Sequence, residues 1–233
     1  MFARLLISTF AAALLAPLAV QAQALAGPAP WKEGTHYFLV EPAVPSESDD
    51  GKVEVAEVFS YGCPACNFFY PAIDKLRKAL PANAVMRYVP ASFNANEDWP
   101  MFQRAYLAAQ ALGIADKSHD AMFDAVWKPN APLATMNPDG RTLKKPLPSL
   151  EDAAKWYAEH YGVKAEDFVA TANSFAINAK MKRADAFLKA TQTESTPTIV
   201  VGGKYRFNPN SAGGEDKVVP LTLYLIQLAA GGK

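Results

Sequence analysis

Residues 59–66, FSYGCPAC, contain the only two cysteines of the 233-residue chain, Cys63 and Cys66. The residues before the pair, 53–60 (VEVAEVFS), combine β-branched side chains with partial alternation, which predicts a strand. From Cys63 onward, apolar residues recur at helical spacing, at Phe69, Ala72, Ile73, Leu76 and Leu80. The cysteine pair is therefore predicted to lie where a strand ends and a helix begins.

This position gives the two thiols different predicted properties. A free thiol has a pKa of about 8.5, and the unsatisfied N–H groups of a helix N-terminus favour its thiolate. Cys63, in the first turn, is predicted to be the reactive thiol, and Cys66, a turn inward, the shielded resolving thiol. Pro64 suits the first turn, because the N–H group that proline lacks has no helical partner there. The gap of two residues, Pro64 and Ala65, also lets the sulfurs close a small ring.

The first residues have the pattern of a secretory signal. A basic start precedes the apolar run 5–20, and the AQA sequence at residues 22–24 fits the small-residue cleavage rule. We predict a signal peptide over residues 1–24, cleaved near Ala24. Cleavage two residues earlier or later and an uncleaved membrane anchor are the alternatives. No later apolar run is long enough to span a bilayer, so a soluble exported protein is predicted, in a compartment where disulfides persist.

Composition and motifs exclude several other functions. Lys plus Arg and Asp plus Glu number 23 each, so the formal charge is zero, which argues against a strongly basic nucleic-acid binder. The chain is 50% hydrophobic and 20% charged, as globular proteins are, so disorder is excluded. The sequence contains no nucleophile elbow, Walker loop, zinc-protease helix or calcium-binding loop.

Three interpretations of the cysteine pair are open: redox catalysis, half of a zinc site, and an inert structural disulfide. A zinc site needs two more ligands, and His36, His119 and His160 have no paired ligand spacing. Export and the strand–helix context favour redox catalysis. We therefore predict neither a metal nor a bound cofactor.

Two further features are candidate parts of the site. Glu57 lies within an otherwise apolar strand, where a partly buried carboxyl would have a raised pKa and could exchange protons with Cys66. The alternative for Glu57 is a strand-edge side chain that faces water. Thr196-Pro197 precedes the strand sequence TIVV, and a cis bond is one way to place proline at a strand start.

The rest of the sequence predicts an α/β fold interrupted by helices. A strand at residues 85–89 completes a β-α-β order with the strand at 53–60 and the cysteine helix, which implies a parallel pair with a right-handed crossover. A separate short strand is predicted at residues 36–40. About four amphipathic helices follow, at residues 99–112, 116–127, 149–161 and 166–191, and the last range gives one or two helices. A capping box at Ser149 begins the third, after an irregular proline-rich loop over residues 128–148.

Strands then return near the end of the chain. Residues 198–201 and 204–207 predict a hairpin, with Gly202-Gly203 as its turn. Residues 218–230 predict a closing apolar helix with Pro220 near its start.

The sequence resembles the thioredoxin superfamily in four features. They are FSYGCPAC, Glu57 before it, Pro71 eight residues after Cys63, and STPTIVVGGKY near the end. The predicted signal peptide and the predicted helices between residues 99 and 191 narrow the resemblance to the DsbA family, whose members are periplasmic thiol:disulfide oxidoreductases. The resemblance covers nearly the whole chain after the leader. It implies a thioredoxin-like fold with an inserted helical domain: residues 25–93 and 191–233 for the thioredoxin-like domain and 94–190 for the insertion.

The resemblance also implies roles for individual residues. Cys63 matches the exposed nucleophile and Cys66 the resolving cysteine of a redox-active disulfide. Thr196-Pro197 matches the cis-proline that holds substrate main chain, beside a hydrophobic groove. Glu57 matches the buried acid, and Pro71 matches the proline that kinks the active-site helix. The implied substrates are unfolded or reduced exported proteins, and a DsbB-like membrane quinone reductase is the implied partner that reoxidises the pair.

The sequence departs from the family pattern at two positions. Many relatives have histidine in place of Ala65, and an imidazolium there would stabilise the Cys63 thiolate. The best-known relative has valine in place of Thr196. We therefore expect Ala65 to make Cys63 less acidic and the disulfide less oxidising, and the Thr196 hydroxyl to affect the potential as well.

The same residues are compatible with other functions. A periplasmic disulfide reductase or isomerase would use them too, although the residues before Val53 are too few for a separate dimerisation domain of the kind that isomerases carry. A chaperone-like peptide-binding protein is the non-enzymatic alternative, and it would keep its activity without the Cys63 thiol.

Overall fold

A five-stranded sheet with the order β1-β5-β4-β2-β3 forms the centre of the computed structural model, which describes residues 30–47 and 50–231. The strands are β1 (Phe38–Leu39), β2 (Val53–Phe59), β3 (Ala84–Pro90), β4 (Thr198–Val201) and β5 (Tyr205–Phe207). The signal peptide predicted over residues 1–24 lies outside the described residues.

The predicted β-α-β unit is confirmed. β2 and β3 are parallel, and α1 (Pro64–Ala79) connects them. β2 is the strand that positions the site, because it pairs with β3 on one side and with antiparallel β4 on the other. Six of its seven residues are buried, which agrees with a strand covered on both faces. In this register Glu57 lies opposite Tyr88 on β3 and Ile199 on β4.

The predicted hairpin near the end of the chain is also confirmed. β4 and β5 are antiparallel, and Gly202 and Gly203 have φ angles of 58° and 63°. The Lys204 N–H donates to the Val201 carbonyl at 3.1 Å, which closes a primed turn. Gly203 is required for a second reason: a Cβ atom there would overlap the carbonyl of Val44.

The first strand is shorter than residues 36–40. Only Phe38 and Leu39 pair with β5, and the Val40 N–H donates to the carbonyl of Lys204, just before β5, at 2.8 Å. The preceding residues form a turn in which the Lys32 N–H donates to Nδ1 of His36 at 2.9 Å.

Five helices lie between β3 and β4: α2 (Trp99–Ala111), α3 (Ala115–Trp127), α4 (Leu150–Tyr161), α5 (Ala165–Ala172) and α6 (Phe175–Ala190). The capping box at Ser149 is confirmed, because its hydroxyl accepts from the Asp152 N–H and the Asp152 carboxylate accepts from the Ser149 N–H. The segment between α3 and α4 is irregular, as predicted.

The end of the chain differs from the prediction in two ways. A four-residue helix, α7 (Pro209–Ala212), follows β5, with Asn208 as its cap. The closing helix α8 (Glu215–Gly231) begins three residues earlier than predicted and contains Pro220. Glu215 and Asp216 explain the earlier start, since acidic side chains stabilise the first turn of a helix. No helix in the described part of the chain is long and apolar enough to cross a bilayer.

The buried side chains form clusters on the two faces of α1. Phe69, Ile73 and Leu76 pack with α8 in one cluster. Cys63 and Cys66 belong to the other, which is shared with the helices between β3 and β4. The cysteine pair is therefore held by the sheet, by α1 and by the helical block together.

Candidate active site

Cys63 is the N-cap residue of α1 and has extended backbone angles, φ −87° and ψ 118°. Pro64 is the first residue of the helix, as predicted, and Cys63 lies one position before the predicted first turn. The Cys63 Sγ accepts a hydrogen bond from the Cys66 N–H at 3.4 Å, as the side-chain oxygen of a usual cap residue does. The helix start therefore presents an N–H group directly to the sulfur of Cys63.

The prediction that Cys63 is exposed was wrong. The residue is 5% exposed and Cys66 is 0% exposed, and both are free thiols. The reason is the segment before β4, whose Thr196 carbonyl lies 3.6 Å from Cys63 Sγ and covers it. Pro64 and Ala65 are the exposed residues of the motif. The order of burial still follows the sequence argument, because Cys66 is the more deeply buried thiol.

The two thiols ionise very differently. The pKa of Cys63 is lowered to about 6, chiefly by a hydrogen bond from the Cys66 side chain. Burial opposes this, while the Thr196 side chain and the backbone N–H groups of Cys66 and Ala65 lower the pKa further. The pKa of Cys66 is raised well above its ordinary value by burial and by the neighbouring Cys63. The helix N-terminus thus contributes to the acidity of Cys63, but the Cys66 thiol contributes more.

Thr196 touches Cys63 with two groups that act in opposite directions. Its carbonyl accepts from the Cys63 thiol, which stabilises the protonated form. Its hydroxyl oxygen is buried and has no hydrogen-bond partner while the thiol is protonated. Once Cys63 ionises, the hydroxyl can donate to the thiolate, which agrees with its lowering effect on the pKa. The Thr196–Pro197 peptide bond is cis.

Glu57 is buried in β2, so the alternative of a water-facing strand-edge carboxyl was wrong. Its side chain is 1% exposed, and Oε2 has no hydrogen-bond partner. Burial raises the pKa of Glu57 to about 8, with smaller contributions from Asp120 and Cys63. Glu57 in turn raises the pKa of Cys66. The carboxyl is therefore electrostatically coupled to both thiols and protonated over most of the neutral range.

Comparisons with known proteins agree with this geometry. A sequence profile described as thioredoxin matches residues 48–218. The thiol:disulfide interchange protein DsbA of Azotobacter vinelandii is 35% identical over 210 residues, 90% of this chain and 89% of the relative. A DsbA of Pseudomonas aeruginosa is 36% identical, over 83% of each chain.

The chain belongs to the DsbA family.

Solved structures of this family share the fold. The crystal structure of Pseudomonas aeruginosa DsbA aligns with a TM-score of 0.72 at 35% identity, over 87% of this chain and 97% of that one. DsbA from Xylella fastidiosa aligns with a TM-score of 0.72 at 30% identity. The prediction of a thioredoxin-like α/β fold with inserted helices is confirmed. This DsbA-family protein is a thiol:disulfide oxidoreductase.

Sequence reasoning missed a buried aromatic cluster beside the cysteines of this DsbA-family protein. His119 Nδ1 hydrogen-bonds with the Tyr61 hydroxyl at 2.9 Å, and its ring lies 4.2 Å from that of Tyr88. Burial, with a smaller contribution from Arg77, lowers the pKa of His119 to about 3, so the imidazole is neutral. The aromatic residues of FSYG are the sequence feature that could have indicated this cluster. Among residues 30–47 and 50–231, no group of three or more His, Cys, Asp or Glu side chains is placed to hold a metal ion.

Replacement of Thr196 by valine tests the role of its hydroxyl. Thr196→Val removes a donor to the thiolate while keeping the side-chain shape, so we expect the pKa of Cys63 to rise by about one unit. The measurement is a pH titration of thiolate absorbance in the reduced protein. Thr198→Val is the matched control, because it makes the same change at a hydroxyl that is bonded elsewhere. The Thr198 hydroxyl donates to the Ser195 carbonyl at 2.8 Å. An unchanged pKa in Thr196→Val would show that the hydroxyl does not reach the thiolate.

Proposed function

We propose that this DsbA-family oxidoreductase introduces disulfide bonds into exported proteins through exchange at Cys63 and Cys66. The observation that carries the proposal is the asymmetry of the pair. Cys63 caps a helix and has a pKa of about 6, whereas Cys66 is fully buried with a raised pKa. A thiolate that is stable in the reduced protein makes the disulfide easy to reduce, and hence a good oxidant of other thiols.

The reaction begins with the Cys63–Cys66 disulfide. A substrate thiolate attacks Sγ of Cys63, the bond between the two enzyme sulfurs breaks, and Cys66 leaves with the electron pair. A second substrate thiolate then attacks the substrate sulfur of the mixed disulfide, and Cys63 leaves as a thiolate. The substrate has lost two electrons and gained a disulfide, and the enzyme pair has gained those electrons.

Glu57 is proposed to exchange protons with Cys66. The departing Cys66 thiolate has a raised pKa and lies out of contact with solvent, so it requires a nearby proton. The Glu57 carboxyl, with a pKa of about 8, holds one at neutral pH. A buried acid whose pKa lies near the operating pH can both give and accept a proton, so Glu57 can serve each direction of the exchange.

Substrate main chain is proposed to bind along Thr196 and Pro197. A groove of about 320 Å³ lies there, between Ala65 and Phe68 of α1 and the cis-proline segment. Phe68 is 73% exposed at the edge of the groove. An exposed aromatic side chain beside a reactive thiol suits unfolded polypeptides, whose apolar side chains are accessible.

The location and remaining partners follow from the family. The proposed compartment is the periplasm, reached through the signal peptide over residues 1–24, and a DsbB-like membrane quinone reductase is the proposed oxidant of the reduced pair. We also assign residues 25–93 and 191–233 to the thioredoxin-like domain and residues 94–190 to the inserted helical domain.

The equilibrium of the cysteine pair with graded glutathione buffers tests the direction of transfer. Each pKa unit by which the Cys63 thiolate is stabilised is worth about 1.4 kcal/mol, or about 30 mV for a two-electron couple. We expect a potential well above the thioredoxin value of about −270 mV. A value at or below that would contradict disulfide donation and point to a reductase or a structural disulfide.

A further inference from the structure

A second cleft adjoins the cysteine pair and shares no lining residue with the groove at Pro197. It has a volume of about 640 Å³. Gly62 and Pro64, the two neighbours of Cys63, line it on one side, and the end of α3 and the irregular segment that follows line it on the other. We call it the Trp127 cleft, after the aromatic residue in its wall.

The wall opposite Cys63 is built by hydrogen bonds within the irregular segment. The Lys144 N–H donates to the Thr135 carbonyl, and the Asn137 N–H donates to the Thr142 carbonyl, both at 2.8 Å. The Asn137 side chain donates to the Leu143 carbonyl at 3.1 Å. A segment that satisfies its own backbone groups holds its shape before a ligand arrives, which lowers the entropy lost on binding.

The walls of the cleft are fixed to the turn that follows the active-site strand and to the helices. Trp127 Nε1 donates to the Tyr61 carbonyl at 2.7 Å, two residues before Cys63. The Leu133 N–H donates to the Ala125 carbonyl at 2.9 Å, and the Leu133 side chain is buried. The position of the cleft relative to the reactive sulfur is therefore set by packing and direct hydrogen bonds.

The lining has an apolar surface and one available positive charge. Trp127 and Met136 are half-buried in its wall. Lys144 is half-buried there as well and has no ion-pair partner among the described residues. Of the other charged groups of the lining, Lys128 pairs with Asp124 at 2.7 Å, and Glu97 is an anionic group whose carboxylate accepts from the indole of Trp99 at 3.0 Å.

We infer that the Trp127 cleft binds a second segment of the reduced substrate polypeptide, with an apolar side chain against Trp127 and Met136 and a carboxylate paired with Lys144. This inference rests on the proposed function, since the occupant is the polypeptide whose cysteine attacks Cys63. An extended chain advances about 3.3 Å per residue, so a side chain two or three residues from that cysteine reaches a cleft that begins at Pro64. Substrates with an apolar–acidic pair at this spacing are therefore oxidised fastest.

The test uses single-cysteine peptides that reduce the oxidised protein. Each peptide carries Phe-Glu or Phe-Lys, two residues before or two residues after its cysteine. The measurement is the second-order rate constant for loss of the Cys63–Cys66 disulfide, at an ionic strength of about 0.15 M to screen distant charges. We expect the wild-type protein to prefer Phe-Glu over Phe-Lys by about 5- to 20-fold in one of the two orientations.

Charge reversal of the lysine supplies the decisive comparison. Lys144→Glu reverses the preference, and Lys144→Gln removes it. Lys145→Glu is the matched control, because this neighbouring lysine is exposed, does not line the cleft and carries the same charge. It keeps the wild-type preference. Replacement of Phe by Ser in the preferred peptide lowers the rate constant by about 3- to 10-fold.

Reduction by dithiothreitol, a neutral small thiol, distinguishes failure of the cleft inference from failure of the proposed function. If dithiothreitol reduces the wild-type disulfide but Lys144→Glu keeps the Phe-Glu preference, the cleft inference is overturned and the proposed exchange stands. A preference that Lys145→Glu also reverses would mean general electrostatic attraction and would overturn the inference as well. If neither dithiothreitol nor any peptide reduces the pair, the proposed function itself fails.

Discussion

Replacement of Cys63 by serine is expected to lower the rate of thiol exchange by at least about 10³-fold relative to replacement of Cys66 by serine. With a pKa of about 6, Cys63 is roughly nine-tenths ionised at pH 7. Burial raises the pKa of Cys66 well above its ordinary value and the residue is 0% exposed, so at pH 7 this thiol is protonated and out of contact with solvent. A thiol with the ordinary pKa of about 8.5 is only a few per cent thiolate at pH 7, and the raised pKa of Cys66 makes its thiolate scarcer still.

The measurement is the reaction of each reduced variant with an activated aromatic disulfide. Cys66→Ser is the matched comparison, because the serine hydroxyl can still donate to the Cys63 thiolate and so preserve most of its acidity. This variant should react rapidly and stop at a stable one-to-one mixed disulfide, since it lacks the resolving thiol. In the oxidation of a reduced peptide, both variants should be inactive, because neither can form the enzyme disulfide.

Two outcomes would contradict these assignments. Equal reactivity of the two variants would mean that Cys63 is not the privileged nucleophile. Retention of wild-type activity on a reduced, unfolded protein by Cys63→Ser would favour a chaperone-like binder, for which the thiol is dispensable.

The features that could be predicted from sequence are those with local causes. The strand before the cysteines, Pro64 at the first helical position and the Gly202-Gly203 turn each follow from the preferences of a few adjacent residues. The capping box at Ser149 is of the same kind. Each of these signals spans fewer than about ten residues, and their order along the chain was enough to indicate the fold class.

The features that could not be predicted depend on residues far apart in the chain. Cys63 is covered by a carbonyl 133 positions later, so its burial cannot be read from FSYGCPAC. The choice between a buried and an exposed Glu57 depended on whether β4 pairs with β2, and the structure shows that it does. The hydrogen bond between Tyr61 and His119 also joins distant segments, 58 positions apart. Sequence periodicity carries no information on such contacts.

The Trp127 cleft has one feature that could be predicted from local sequence and others that depend on contacts in the folded structure. The proline-rich segment over residues 128–148 was recognisable as irregular from its composition. Its internal hydrogen bonds, and the bond from Trp127 to Tyr61 just after the active-site strand, are visible only in three dimensions. The structure also separates two neighbouring lysines of this segment, because Lys144 lines the cleft and Lys145 is exposed.

Replacement of Glu57 by glutamine is expected to remove a large pH dependence of stability. The folded protein holds the proton of Glu57 up to a pH of about 8, because burial disfavours the carboxylate, whereas an ordinary glutamate releases it near 4.5. Between these values the folded state binds more protons than the unfolded state, so the free energy of unfolding falls as pH rises. At 1.36 kcal/mol per unit, the loss amounts to as much as about 5 kcal/mol by pH 9.

The Glu57→Gln variant separates this effect from all other titrations. The glutamine side chain is neutral at every pH, so we expect the variant to be no more stable than wild type at pH 5, where a protonated carboxyl and an amide are both uncharged. At pH 9 it should be more stable by several kcal/mol. Denaturant unfolding of the oxidised proteins at both pH values provides the measurement, because neither cysteine titrates in the disulfide form.

Glu54 is the matched control, three residues earlier on the same strand and also buried. Its carboxylate pairs with Arg87 at 3.0 Å, so Glu54→Gln removes a compensated charge and leaves part of the Arg87 guanidinium without a partner. We expect it to lower stability by about 1–3 kcal/mol at both pH values. Parallel curves for wild type and Glu57→Gln would mean that Glu57 titrates as an ordinary glutamate. A buried proton donor for Cys66 would then have to be sought elsewhere, because a carboxyl ionised at neutral pH has no proton to give.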